Sequence, residues 1–212
     1  MNDNPPDAFL ALATGCPHCP VVLQALGELV KGGEIGRLTV VNLGRHPEEA
    51  ERLGIRQVPW IRIGPFELQG LHRLAELRQW VERTGSVDGM AEYLRDRLRA
   101  GDLATATRLV KTTPQAMDAL LALLTETDSE LPLRLGVDAI FDELAGTPIL
   151  AEAVDRLAAL AREAARPVRI DAIHYLGLAG TPAARDRLKA LARDPDPEIQ
   201  ATAREVLAET TS

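Results

Sequence analysis

Apolar residues follow two rhythms along this chain, and the rhythm changes near residue 86. In the first part, short runs of branched and aromatic residues alternate with stretches of helical spacing. Residues 9–13, 38–43, 58–63 and 66–68 read as strands, the last a short edge. Residues 16–31, 47–53 and 72–83 read as helices, with Gly32–Gly33 and Gly85–Ser86 as stops. The order β-α-β-α-β-β-α implies crossover connections and a mixed sheet with helices on both faces.

From residue 87 the pattern is helical throughout. Apolar positions recur every three or four residues, as in Leu103, Ala106, Leu109 and Val110, or Ile199, Ala203 and Leu207. Gly, Pro and Asp interrupt them about every three turns. Residues 168–176 align with residues 199–207 at an offset of 31, and residues 133–141 with 168–176 at an offset of 35. Second helices over 150–163 and 182–193 lie between. Helix pairs at this interval, with Ala at the close-packed position and Leu four residues on, resemble HEAT repeats. An irregular helical bundle is the plainer alternative. The expected layout is an α/β domain over 1–86 and an all-α array over 87–212, with the clearest repeats in 131–209. Residues 87–127 read as divergent repeats or a connecting helical segment.

Charge narrows the possible partners. The 212 residues carry 24 Lys and Arg against 31 Asp and Glu, a net charge of -7. No basic excess exists to neutralise phosphates, so nucleic acid is not an expected partner. Residues 1–86 hold 9 bases and 10 acids, and residues 87–212 hold 15 and 21, so the excess lies in the helical part. That acidity reads first as a solvated exterior and second as a surface for a basic protein partner. No apolar run approaches the length of a bilayer span. The start, residues 1–7, has neither the basic residues nor the cleavage site of an export signal, so the cytoplasm is the expected location.

Cysteine use is the most informative feature. The two cysteines stand three residues apart in Cys16-Pro-His-Cys19-Pro20, after one strand and at the head of the first long helix. A bridge across so short a loop removes little entropy from the unfolded chain, so it would do little for stability. The unpaired N–H groups and the dipole of a helix N-terminus favour an anion there. A thiolate at Cys16 is such an anion, and His18, if protonated, adds a positive charge beside it. Pro17 is tolerated in a first helical turn. Cys19, one turn on, faces inward. The pair is therefore asymmetric, with Cys16 attacking a disulfide and Cys19 resolving the mixed disulfide.

Strand-Cys-x-x-Cys-helix, followed about forty residues later by Val58-Pro59 at a strand start, resembles the thioredoxin superfamily over residues 8–83. The small glutaredoxin-like members are the nearest in outline, because an additional N-terminal strand and helix are absent. The resemblance implies a cis peptide bond before Pro59, lying against the dithiol, and a Val58 backbone offered to a substrate strand. It also implies that Gly70, after the last strand, borders the substrate groove. Trp60 reads either as an aromatic flanking the dithiol or as a residue packed into the sheet. Two departures stand out. Gly15 replaces the aromatic that thioredoxins proper place before the first cysteine, and the preceding strand lacks their buried carboxylate. The Pro-His pair between the cysteines matches that of periplasmic disulfide-forming oxidases, which leaves the direction of electron flow open.

The resemblance implies a thiol–disulfide oxidoreductase acting on protein thiols and disulfides, with no cofactor and with the helical array as a docking platform. A scaffold or redox sensor with a non-catalytic domain is the alternative, and a glutathione-dependent enzyme using Arg56 or Arg62 is the third. Zinc would require four ligands, and the chain has no second cysteine pair; His46, His72 and His174 are scattered. Haem attachment would need histidine where Pro20 stands. No metal is expected.

Overall fold

A computed structural model of the chain describes residues 5–126 and 130–210. Residues 1–4, on which the expected location partly rests, and Thr127, at the end of the divergent helical stretch, lie outside the described residues. The chain divides into two compact units, residues 1–90 and 91–212. The sequence places the join at 86/87, whereas the units meet inside a helix that begins at Val87.

The first unit holds a four-stranded mixed sheet of β1 (Ala8–Leu12), β2 (Leu38–Asn42), β3 (Trp60–Ile63) and β4 (Phe66–Gln69), in the order β2-β1-β3-β4. β1 pairs in parallel with β2 and antiparallel with β3, and β3 pairs antiparallel with β4. Side chains alternate between the two faces along each strand. Leu10, Ile61, Ile63, Phe66 and Leu68 are buried on one face. α1 (Cys19–Lys31) and α3 (Leu74–Arg83) pack together there, with Trp80 of α3 against Phe66 at 5.2 Å. The opposite face carries Phe9, Ala11 and Trp60, and is covered by Ala50 and Leu53 of α2 (Pro47–Leu53). Helices thus lie on both faces, as the strand–helix alternation predicts. α2 begins with Pro47-Glu-Glu and ends at Gly54, whose φ of 66° only glycine adopts without cost.

The second unit is helical among its described residues. α4 (Val87–Arg99) leads into it, followed by α5 (Leu103–Thr112), α6 (Ala116–Leu124), α7 (Leu131–Glu143), α8 (Pro148–Glu152), α9 (Val154–Glu163), α10 (Arg166–Ala179), α11 (Pro182–Leu191) and α12 (Pro197–Glu209). The single helix expected over 150–163 is two, joined at the buried Ala153, which ends α8 and starts α9. α10 packs on α9, α11 and α12. Ala172 and Ala203, equated by the offset of 31, are both fully buried. Gly177 permits the close approach of α10 and α12, since a side chain there would collide with Val206.

Ion pairs repeat at the same interval. Arg95–Glu126, Arg99–Glu130, Lys111–Glu143, Arg187–Asp155 and Arg166–Asp196 each join residues 30–32 apart, at 2.5–3.1 Å. Exposed pairs stabilise little singly. Their value here is as a register mark, because the same step in sequence keeps returning to the same neighbour in space. Asp196 also caps α12. The Glu198 backbone N–H donates to its carboxylate at 3.0 Å, and with the nearby Arg166 this holds its pKa below the ordinary aspartate range. A depressed carboxylate pKa contributes stability above the unfolded value, lost as pH falls through the folded one. Asp196→Asn should therefore lower thermal stability at neutral pH, and the deficit should shrink as acid protonates the wild-type carboxylate. Thermal unfolding of both proteins from pH 7 down to pH 2 measures this.

Candidate active site

The sheet register gathers the expected site residues at one end. β1 runs into the Thr14–Gly15 turn and Cys16, while β3 runs the other way, with Ala11 opposite Trp60. Val58 and Pro59, just before β3, therefore lie at the same sheet end as the residues just after β1. Gln69 pairs with Trp60, which brings Gly70 there too. The Gly70 N–H donates to the Pro59 carbonyl at 2.9 Å, and the Val58–Pro59 bond is cis. Gly70 has φ of 88°, a conformation that strains any residue with a Cβ.

Cys16 does not open the helix, contrary to the sequence reading. α1 starts at Cys19, with His18 as its N-cap residue. A residue before proline is steered away from helical backbone, and Cys16 precedes Pro17. Instead Gly15, at φ 82°, and a bond from the Cys16 N–H to the Ala13 carbonyl at 3.2 Å form a turn. Pro20, and not Pro17, is the proline tolerated in the first helical turn.

This arrangement still puts the sulfur at the helix tip. The Cys19 backbone N–H donates to Cys16 Sγ at 3.2 Å, so an otherwise orphaned donor of the first turn is spent on that sulfur. Cys16 is partly exposed, Cys19 is buried, and the two form a disulfide. His18 is exposed, and its side chain makes no capping hydrogen bond.

Trp60 is a correction. It is 2% exposed, and its ring meets Phe9 edge-on at 5.9 Å beneath α2, so it is packed into the core and does not flank the dithiol as an exposed aromatic. Val58 is half-buried against the same cluster, and Pro59 is buried.

The sequence reading overlooked Asn42. At the end of β2 its amide N–H donates to Thr14 Oγ1 at 3.1 Å, and its side-chain oxygen accepts from the Gly44 N–H at 2.9 Å. It ties the turn ahead of Cys16 to the neighbouring strand. A lone amide closing the apolar run Leu38-Thr-Val-Val-Asn42 was the available signal. Leu71, an exposed apolar side chain directly after Gly70, was overlooked as well.

Residues 9–82 match the family model described as a thioredoxin domain. Residues 9–82 form a thioredoxin-like domain. No curated protein sequence matches the chain. The thioredoxin-like domain, with its intact Cys16–Cys19 pair, supports a redox function, and it is followed by a helical region. Among the described residues no group of three or more His, Cys, Asp and Glu side chains is placed to hold a metal ion. Nor is any described helix long and apolar enough to cross a membrane.

Proposed function

We propose that this protein is a thiol–disulfide oxidoreductase acting on protein disulfides and dithiols, with Cys16 as nucleophile and Cys19 as resolving thiol. One observation carries the proposal: a partly exposed Cys16 Sγ accepts the Cys19 N–H at the head of α1, while Cys19 is buried behind it. A hydrogen bond to the charged form of a group favours that form, so the reduced Cys16 thiol should ionise more readily than a free cysteine. The Cys16 thiolate attacks one sulfur of a substrate disulfide, forming a mixed disulfide and releasing the other sulfur as a thiolate. Cys19, deprotonated, then attacks Cys16 Sγ. The mixed disulfide breaks, the second substrate thiolate leaves, and the Cys16–Cys19 disulfide holds the two-electron oxidation. The reverse sequence oxidises a dithiol, and the relative potentials of the two pairs set the direction.

His18, exposed beside the dithiol, adds positive charge to the thiolate when protonated. Val58 and Gly70 border the groove into which a substrate segment lies. The helical unit is a HEAT-like array, supported by the recurring ion pairs and the equivalent buried Ala172 and Ala203. Its role is to dock the substrate or a partner protein. A reducing compartment, the cytoplasm, suits a chain whose two cysteines both belong to the dithiol.

Insulin reduction with dithiothreitol tests the chemistry. The wild type should accelerate it, and Cys19→Ser should instead accumulate mixed disulfides through Cys16, visible as reducible conjugates on non-reducing gels. A wild type without turnover, with a Cys16 thiol titrating like free cysteine, would support the scaffold or sensor reading.

A further inference from the structure

The faces of α6, α7 and α10 line a part-open pocket of about 80 Å3, with an apolar wall of Leu123, Leu124, Val137, Pro167 and Val168. That is several times the roughly 10–15 Å3 needed for one water, and it suits a single aliphatic side chain. Asp138 and Asp171 form one wall of it. The same two carboxylates form a wall of a second, open trough of about 540 Å3 running across α7, α10 and α12. There they are joined by Asp142, Glu205 and Glu209, with His174 the one basic side chain among the described residues that line it. Glu126 and Arg134 complete the lining of the smaller pocket.

The two depressions share Asp138 and Asp171 and so lie side by side, one partly apolar and the other acidic, as neighbouring parts of one grooved face. The Tyr175 hydroxyl, in the groove wall, donates to Asp138 and fixes that carboxylate. Burial, reinforced by the charge of Asp138 and opposed by Arg134 and His174, holds the Asp171 pKa above the ordinary range. Two carboxylates crowded in this way are relieved by an incoming cation.

We propose that this groove binds a basic polypeptide segment, seating one aliphatic side chain in the cavity and lysine or arginine side chains along the trough. The proposal rests on the docking role given to the helical unit and names the chemistry of what docks. Charge complementarity selects the occupant, and the apolar wall of the pocket supplies an anchor of the kind that dominates peptide recognition.

The probe is a fluorescein-labelled peptide of lysines around one central leucine, titrated by anisotropy with the full-length protein. Binding should weaken steeply with added salt. Replacing the peptide leucine by serine should weaken it about 10- to 100-fold. Asp142→Lys combined with Glu205→Lys, both at exposed positions, should weaken it at least about tenfold and flatten the salt dependence. Leu124→Trp, which fills the cavity from a half-buried position, should abolish the preference for leucine. Equal binding of a glutamate-for-lysine peptide, or indifference to both variants, overturns the proposal. So does a dimer of this chain that the charge reversals dissolve. Cross-linking of substrates trapped on Cys19→Ser separates this failure from the broader one. Links to the helical unit away from the groove would leave docking standing and sink the groove, whereas no links to that unit would sink docking itself.

Discussion

Cys16→Ser is expected to bring disulfide turnover down to the uncatalysed background while the fold stays intact. Removing a nucleophile elsewhere costs up to about 10^6-fold, so a loss on the order of 10^3-fold or more is the natural scale here. The geometry explains why the two cysteines should fail differently. Cys16 is the partly exposed sulfur and receives the Cys19 N–H, so it alone combines access with stabilisation of the anion. Its loss leaves a buried Cys19 that cannot meet a macromolecular substrate. Losing Cys19 leaves attack possible and resolution impossible, so the first half of the exchange proceeds and stalls as a covalent conjugate. Insulin turbidity, together with non-reducing gels of both variants, reads the two outcomes side by side. Cys16→Ser with turnover near wild type would remove the basis of the mechanism, because no other thiol in the chain could replace it.

Much of this was legible before any coordinates. β2 and β3 came from branched residues and β1 from a short apolar run, and α2 was read to the residue because Pro47-Glu-Glu and Gly54 mark both of its ends. Where the reading failed, a longer-range effect decided. The motif Cys16-Pro-His-Cys19-Pro20 contains two prolines, and either could have opened the helix. The turn built on Gly15 made it Pro20. The break at Ala153 has no glycine or proline to announce it, since Leu150 to Glu163 is compatible with one continuous helix. The groove was beyond the sequence for a related reason. Asp138, Asp171 and Glu205 recur at nearly the repeat interval, but only packed helices turn that spacing into a shared wall.

The second large effect concerns Trp60, where alternation along a strand left two faces to choose between. In Val58-Pro-Trp-Ile-Arg-Ile63 the side chains of Trp60 and Arg62 share one face, and nothing local says whether that face is covered. α2 covers the tryptophan, whose ring packs among Phe9, Ala11 and Ile55 with Val41 and Leu53 around it. Truncating so large a buried aromatic leaves a cavity the sheet cannot close. Trp60→Ala should cost about 3–5 kcal/mol of stability, enough to remove a large share of what a small domain has. Trp60→Phe keeps much of the volume and should cost considerably less. The decisive measurement pairs denaturant unfolding with KM for a protein disulfide. A core tryptophan predicts that Trp60→Phe lowers the unfolding midpoint and leaves KM where it was. A substrate-contacting one predicts the reverse, a raised KM at unchanged stability, and that result would return Trp60 to the binding surface.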